Sequence, residues 1–275
     1  MNFRIVLLLV ISHLLGDFVF QSKYILKLRF EKTLRKNVKG NTLHVLIHFV
    51  LMLIILSSCK VISIINSSIS FKYILSISLI ISITHFFIDE LKTLLINFKV
   101  GPQKNIWIFL MDQIFHFMLI IFVVYGDKLT FSVNELRNCP KNINYIDKSL
   151  IIIAVFLLCT FASGIFIKQY IEYMNFKNYN KMLNKNYIIV GSAKELHNGG
   201  FIIGILERSF ILLVMAIGEP AMIGFVLTAK SIARFKKLDD PSFAEYFLIG
   251  TFMSFIVAIL GGILIYALKI FPIIK

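Results

Sequence analysis

The sequence predicts an all-α, polytopic integral membrane protein with about eight transmembrane helices, and three observations lead to this fold class. Hydrophobic residues make up 58% of the 275 residues and charged residues only 16%, whereas soluble domains are about half apolar and about a quarter charged. The apolar residues are gathered into segments close to the ~20 residues that cross a bilayer. Lys and Arg lie mainly between these segments, so the formal net charge of +14 indicates basic loops beside a membrane and not a nucleic-acid-binding domain.

The expected spans follow one another along most of the chain. The first resembles a signal peptide because Arg4 precedes an apolar run, but no small-residue cleavage site follows, so we expect a retained helix. The seventh is the shortest, since it begins at Pro220 and ends in charged residues. The predicted bounds are 2–21, 43–65, 72–97, 105–125, 149–171, 199–218, 220–235 and 243–270.

The spans suggest three regions and one orientation. Residues 1–126 form a four-span module rich in His and Asp, residues 127–198 a connecting region with one span and a polar cytoplasmic linker, and residues 199–275 a C-terminal module with charges inside its spans. The first loop, KYILKLRFEKTLRKNVKG, carries seven Lys or Arg. We expect the protein in the inner membrane of a cell. The positive-inside rule then places this polybasic loop on the cytoplasmic side and both termini on the outer side.

His and Asp residues in the first four spans form four pairs at one spacing. Five of the six His residues lie there, and each has a His or Asp partner four residues away. Side chains at i and i+4 lie on one face of a helix, so each pair presents two ligands in one direction, as in the zinc-binding H-E-x-x-H motif. The pairs are His13 with Asp17, His44 with His48, His85 with Asp89, and Asp112 with His116.

These eight side chains predict a shared metal site. Charged groups inside a bilayer are costly, so they are expected to face one another. Imidazole and carboxylate ligands without thiolate suit zinc, which we expect first, or iron or manganese. The eight donors could hold two ions, or one ion with further carboxylates around it. The first two pairs are expected to lie shallower in the membrane than the last two, by about 6–9 Å.

Two alternatives use the same residues without a metal ion. The His and Asp side chains could form a proton or ion relay through the membrane. They could also simply make hydrogen bonds that hold neighbouring helices together, which is a common role of polar residues in spans.

The C-terminal module carries Glu207 and Arg208 in the middle of a span. Adjacent residues of a helix point about 100° apart, so the two side chains are expected to have different partners in structural ion pairs. The expected partners are Lys230 or Arg234 for Glu207, and Glu219 or Glu245 for Arg208.

The same module offers a functional alternative to ion pairing. Arg208, Lys230 and Arg234 could line a polar cleft that binds an anionic headgroup or phosphate, because guanidinium and ammonium groups are the usual partners of such anions.

Several motifs carry a family resemblance. The segments HLLGDFVFQS, HFFIDELK and DQIFH, with the His-rich second span, resemble a bacterial membrane family known as domain-of-unknown-function family 3307 over roughly residues 5–120. The LER…KSIARF…AEYFLIGT pattern resembles a C-terminal region of its longer members. A looser resemblance links the chain to the membrane-bound metal-dependent hydrolases, which also place His on apolar helices. The positions that match the first family are His13, Asp17, His44, His48, His85, Asp89, Asp112, Gln113 and His116.

The leading functional hypothesis is an intramembrane metal-dependent hydrolase. A metal ion would activate water, and Asp17 or Asp89 would act as general base. A lipid or lipid-linked substrate would arrive sideways from the bilayer and be held by Arg208, Lys230 or Arg234. The alternatives are a transporter coupled to protons or a divalent cation, and a membrane scaffold or sensor with a structural metal. A haem-binding electron carrier is disfavoured, because three of the four pairs contain Asp.

Overall fold

The chain is helical throughout the part that the structure describes. The structure is a computed structural model, and no strand is present among the residues that it describes. Two compact units, Met1–Ala154 and Val155–Lys275, make up the chain. The all-α prediction is therefore confirmed. The described residues are 2–31, 33–98, 106–126, 143–182 and 199–269.

The first unit is built around a ring of four long helices. The helix α1 packs against α3 and α5, and α4 also packs against α3 and α5. One π-helical turn, Leu15–Val19, follows α1 directly. The sixth helix begins in this unit and crosses into the second. The bounds are α1 Asn2–Leu14, α2 Lys23–Arg29, α3 Leu34–Val61, α4 Phe71–Phe98, α5 Ile106–Tyr125 and α6 Tyr145–Leu157.

The helix α4 shows why this bundle belongs in lipid. In a soluble protein the apolar stripe of a helix faces the core and the polar stripe faces water. The helix α4 has the opposite arrangement, with polar side chains buried and apolar side chains exposed, as a membrane bundle requires. The buried polar residues are Ser78, Ser82, His85, Asp89 and Thr93, and exposed apolar residues on the other side are Leu75, Leu79, Ile83, Phe87 and Leu91.

Six helical segments are long and apolar enough to cross a membrane, and the bent pair of α1 and α2 raises the number to seven if it forms one span. The polytopic membrane fold is therefore confirmed, whereas the count of eight stays a prediction. The predicted seventh span corresponds to a shorter apolar helix, Pro220–Ala233. The six segments are Leu34–Val61, Phe71–Ile96, Ile106–Tyr125, Tyr145–Ile171, Gly199–Ala216 and Phe243–Ala267.

The polybasic segment after α1 is not the loop that the sequence predicts. The helix α2 turns by 86° from the first helix, and α3 already begins at Leu34 within the basic stretch. Close contact between α2 and α3 depends on Gly40, where a Cβ atom would lie 2.5 Å from the backbone nitrogen of Arg29. The predicted second span begins only at residue 43, but Lys and Arg are good helix formers, so the helix starts earlier, within the basic stretch.

The second unit contains the rest of α6 and four further helices. A π-helical turn, Leu158–Ala162, separates α6 from α7. Much of the predicted polar linker, residues 183–198, lies outside the described residues. The bounds are α7 Ser163–Met182, α8 Gly199–Ala216, α9 Ile223–Ala233 and α10 Pro241–Ala267.

The helices α8 and α10 run parallel to each other. Arg208 contacts Ser254, near the middle of both helices. Towards their C-terminal ends, Gly262 lies so close to Met215 that a Cβ atom on it would be 2.5 Å from the Cβ of Met215. Because the chain leaves the end of α8 and enters α10 at its start, the segment between them has to return along the length of both helices.

The short helix α9 occupies this return path. Ile223, at its start, packs with the buried cluster around Ile211 and Phe255. Lys230, near its end, reaches Glu207 in the first half of α8. The helix α9 therefore runs antiparallel to α8 and α10, and an eighth membrane crossing at this segment stays a prediction.

Candidate metal centre

The four His/Asp pairs of the sequence analysis come together around Asp17. The Nε2 atoms of His44 and His48 each lie 3.0 Å from Asp17 Oδ1. His85 Nε2 lies 4.0 Å from the same oxygen, and His13 Nε2 lies 3.6 Å from Asp17 Oδ2. Asp17 therefore sits among imidazoles from three of the four ring helices, namely α1, which directly precedes its own turn, α3 and α4.

A second carboxylate, Asp89, continues the cluster. Its Oδ2 atom lies 3.3 Å from Nε2 of His85 and 3.5 Å from Nε2 of His44. The rings of His85 and His116 have centroids 4.0 Å apart. His116 Nδ1 lies 3.7 Å from Asp112 Oδ1, so the fourth pair borders the same centre.

The cluster is almost entirely shielded from the surroundings. Seven of its eight residues expose at most 4% of their surface, and only the Asp17 side chain, with 12%, is more accessible. The cluster is shielded because it lies next to an apolar part of the bundle interior. Towards one end the inner face becomes apolar, through Leu9, Leu56 and Ile74, which are all buried.

The arrangement contains three groups of ligand atoms that could hold a divalent metal ion. Within each group the atoms lie within 4.8 Å of one another, and the groups overlap at His85 and Asp89. The groups are His13, Asp17, His48 and His85; His44, His85 and Asp89; and Asp89, Asp112 and His116.

The distances and the hydrogen bonding fit a metal centre. Zinc–ligand bonds of about 2.0–2.2 Å place ligand atoms roughly 3–3.5 Å apart, close to the separations around Asp17 and Asp89. Buried polar atoms normally have a hydrogen-bond partner. Four inward ligand atoms of the cluster have none among the described residues, namely His85 Nε2, Asp89 Oδ2, Asp112 Oδ1 and His116 Nε2.

The absence of a side chain at Gly16 leaves space for the imidazole ring of His48. A Cβ atom at this position would lie 2.5 Å from Nε2 of His48 and 2.7 Å from Nδ1 of the same ring. The π-helical turn that contains Gly16 also contains Asp17. The segment HLLGDF thus supplies two candidate ligands, His13 and Asp17, and at Gly16 it leaves space for His48 of the neighbouring helix.

Two cations border the carboxylates, and neither is among the predicted site residues. Arg29 Nη2 lies 2.6 Å from Asp89 Oδ1, and both side chains are buried. Lys92 Nζ lies 2.6 Å from Asp112 Oδ2. The sequence does place Lys92 near the cluster, because it follows Asp89 by three residues on one helix face. Arg29 gave no such signal, since it is one of seven basic residues in its segment.

A network of buried amides and hydroxyls surrounds Arg29. Its Nε atom donates to Asn41 Oδ1 at 2.9 Å, and Asn37 donates to its backbone carbonyl oxygen at 2.5 Å. Asn41 in turn donates to Glu90 Oε2 at 2.7 Å and to Thr93 Oγ1 at 3.3 Å. The cluster therefore has a polar side opposite its apolar end.

Two glutamines connect the ligands to one another. Gln113 Nε2 donates to Asp17 Oδ2 at 3.0 Å and to Asp112 Oδ2 at 3.2 Å, and its Oε1 lies 3.3 Å from His13 Nε2. Gln21, with its amide oriented to satisfy its neighbours, accepts from Arg29 Nη1 and donates to the carbonyl oxygen of Asp17. Gln113 matched the family motif in the sequence, whereas Gln21 had no role there.

The charges of the site favour a divalent cation. With carboxylates ionised and imidazoles neutral, four acidic side chains in and beside the cluster face two basic ones, which gives this largely buried group a net charge of −2, with Glu90 at its half-buried edge. One divalent ion would neutralise this charge, and buried charge is costly unless it is compensated. The acidic residues are Asp17, Asp89, Glu90 and Asp112, and the basic residues are Arg29 and Lys92.

The second unit pairs its charges only partly as expected. Lys230 Nζ lies 2.7 Å from Glu207 Oε2, which is one of the expected pairs. Arg208 is buried but donates to the Thr160 carbonyl oxygen at 2.6 Å and to Ser254 Oγ at 3.1 Å. Thr160 lies within the π-helical turn Leu158–Ala162.

The remaining charged residues of the second unit lie further out. Glu219 and Glu245, the expected partners of Arg208, are exposed, and no ion pair joins either to Arg208 in the described part of the chain. Arg234 is half-buried, with its guanidinium carbon 6.0 Å from the centre of the Phe243 ring. Within the described residues, Arg208 thus has no acidic partner.

Comparison with known proteins identifies one family. The sequence profile of the family described as "Protein of unknown function (DUF3307)" matches residues 5–143, which is 139 of 275 residues and includes all eight candidate ligands. No curated protein and no solved structure matches the chain. The resemblance of the first part of the chain to this family is therefore confirmed, and the His/Asp centre lies within the matched region. The chain belongs to the DUF3307 family.

Proposed function

We propose that the protein is an intramembrane metal-dependent hydrolase that acts on a lipid or lipid-linked substrate. The observation that carries this proposal is the convergence of eight His and Asp residues, seven of them buried and several with unpartnered ligand atoms, inside a ring of four helices. A divalent ion held there, for which zinc is our first choice, would supply Lewis acidity and make water a nucleophile at neutral pH.

The neighbouring side chains favour different roles for the carboxylates of Asp89 and Asp17. Asp89 is held by the buried cation Arg29, which favours a role as ligand. Asp17 has no Lys or Arg partner among the described residues, and its side chain is the most accessible of the eight. Asp17 is therefore our first choice as general base, and Asp89 the second.

The polar side of the cluster is the proposed route for the substrate's polar group. Basic residues of the segment after α1 lie at this side and would attract an anionic headgroup. We further propose that this segment faces the cytoplasm, and that the protein lies in the inner membrane. In the second unit Arg208, Lys230 and Arg234 keep a proposed role towards anions. Arg234 is the most available of the three, because Lys230 is paired and Arg208 is buried.

The first experiment is elemental analysis of the detergent-purified protein. We expect about one divalent ion per chain in the wild type and a loss of this ion in the double variant His44→Ala/His48→Ala. The matched control is Leu46→Ala/Val50→Ala, which changes two exposed residues of the same helix at the same spacing. A wild-type protein without metal after chelator-free purification, or a double variant that keeps it, would overturn the proposal.

Hydrolysis is tested in a second step with the same proteins. Lipid substrates with ester and phosphoester bonds are incubated with the wild type and with Asp17→Asn, each at a metal concentration that saturates its own site, and turnover is expected to disappear in the variant. Full turnover in Asp17→Asn would exclude its role as general base.

Cation transport is a second candidate function, and one observation favours it. Glu90, which is half-buried, connects through Asn41 and Arg29 to Asp89 inside the cluster. Such a polar chain could lead ions to the site. Proteoliposomes loaded with a zinc-sensitive dye decide between the two functions, because a transporter produces zinc flux and a hydrolase does not.

A further inference from the structure

One of the three ligand groups differs from the others in its hydrogen bonding. Asp89 Oδ2, Asp112 Oδ1 and His116 Nε2 are all buried and have no hydrogen-bond partner among the described residues. Asp89 Oδ2 lies 3.3 Å from His85 Nε2 and 3.5 Å from His44 Nε2 without forming a hydrogen bond to either, whereas Asp17 Oδ1 is hydrogen-bonded at 3.0 Å to His44 and to His48. The group Asp89, Asp112 and His116 shares no residue with the group around Asp17 that contains His13 and His48.

Neighbouring side chains orient these three residues as ligands. Arg29 takes one oxygen of Asp89 and Lys92 takes one oxygen of Asp112, so the other oxygen of each carboxylate is left free. His116 Nδ1 lies 2.7 Å from the carbonyl oxygen of Asp112, which assigns the ring proton to Nδ1. The free lone pair is then on Nε2, the arrangement in which histidine binds metals.

The net charge of the cluster indicates which ligand would bind together with an ion held by these three residues. The first divalent ion neutralises the two excess negative charges of the cluster, so a second ion would leave two positive charges in a buried site. A phosphate monoester carries about −1.5 to −2 charges at neutral pH and would compensate them. We infer that Asp89, Asp112 and His116 form a second divalent-cation position that fills together with a dianionic phosphate group.

The two positions are adjacent. His85 Nε2, a ligand atom of the group around Asp17, lies 3.3 Å from Asp89 Oδ2. Pairs of metal ions about 3.5–4 Å apart are the usual arrangement for binding a phosphate group between them. This inference rests on the proposed metal-dependent function and narrows its substrate to a phosphate ester, carried by a lipid or by a soluble molecule.

The experiment counts ions in the full-length protein. The detergent-purified chain is freed of metal with a chelator and titrated with Mn²⁺, and bound Mn²⁺ is followed by electron paramagnetic resonance. The titration is run alone, with inorganic phosphate, with short-chain phosphatidic acid, and with short-chain phosphatidylcholine as headgroup control. The variant His116→Gln removes one ligand and leaves the Lys92–Asp112 ion pair in place, Asp112→Asn is a second variant, and Glu245→Gln is the exposed control.

We expect one ion per chain without phosphate and two with it, together with an exchange-coupled signal from the Mn²⁺ pair. The phosphate group should tighten the second binding step by about tenfold or more, as coupled ligands commonly do. His116→Gln and Asp112→Asn should keep the first ion and lose the second. An effect of phosphatidic acid beyond that of inorganic phosphate identifies a lipid source, and an equal effect identifies a soluble one.

Three results would overturn the inference. One ion in every titration of the wild type excludes the second position while the proposed metal site stands. Two ions with an affinity that does not respond to phosphate exclude the coupling. A His116→Gln protein that still binds two ions excludes the ligand assignment. Absence of any bound ion is a different outcome, because it removes the proposed function as well.

Discussion

Arg29 and Asp89 form an ion pair inside the helix bundle, with 2.6 Å between Nη2 and Oδ1 and with side chains that are 4% and 2% exposed. The pair joins the basic segment after α1 to a carboxylate of the candidate metal centre. A residue of that segment, which the positive-inside rule assigns to a solvated loop, is therefore part of the core of the first unit.

The first prediction concerns this pair. Arg29→Met should lower the free energy of unfolding by about 3–5 kcal/mol, because removal of one partner leaves a buried charge uncompensated. Lys27→Met is the matched control, since Lys27 is an exposed basic residue of the same helix and should cost little. Thermal unfolding of both variants in detergent measures the difference. Equal midpoints for the two variants would show that the pair does not stabilise the bundle.

The second prediction concerns the gap at Gly16. Gly16→Ala places a methyl group against the His48 ring and should weaken metal binding by about 10–100-fold, the range found when the orientation of a ligand is disturbed. Competition with a zinc-sensitive dye measures the affinity. Gly224→Ala is the control, because a Cβ atom there has nothing within 4 Å. A similar affinity in both variants contradicts the role of Gly16.

The third prediction concerns Gln113, which donates to Asp17 and to Asp112. Gln113→Leu removes both hydrogen bonds and should also reduce metal affinity by about 10–100-fold. Gln169→Leu, in the other unit, is the control for loss of a half-buried amide in a membrane helix. Metal affinity that is unchanged in Gln113→Leu would mean that the two carboxylates are held in place by other contacts.

The fourth prediction concerns the return path occupied by α9. If this segment crosses the membrane, Glu219 before it and Asp239 after it lie on opposite sides. Glu219→Cys and Asp239→Cys are made in a background in which the three native Cys are replaced, and each is labelled with a membrane-impermeant reagent from one side. Labelling of only one variant supports the crossing, whereas equal labelling of both from the same side shows a re-entrant segment. Both native residues are exposed, so both probes are accessible.

The charges of the second unit show how far a sequence can specify partners. The pair of Glu207 with Lys230 is one that opposite charge and helix order suggested. Among the described residues Arg208 has no acidic partner and donates instead to a backbone carbonyl group and a hydroxyl group, in a space that Gly164 and Gly204 leave open. A backbone carbonyl group of another helix leaves no signal in a residue pattern, so this partner could not be predicted.

The sequence by itself determined the membrane fold and which His and Asp residues are candidate ligands. The apolar segments have the length of a bilayer crossing, and the i, i+4 spacing puts both members of each His/Asp pair on one helix face whatever surrounds the helix. Only the tertiary structure decided that the pairs lie at one level, because α3 extends into the basic segment and brings His44 to both Asp17 and Asp89. It also decided that Arg29 is buried, since this depends on the bend after α1 and on the close approach of α2 at Gly40. Local periodicity fixes the face of a helix, whereas the register between helices depends on contacts between residues that are far apart in the chain.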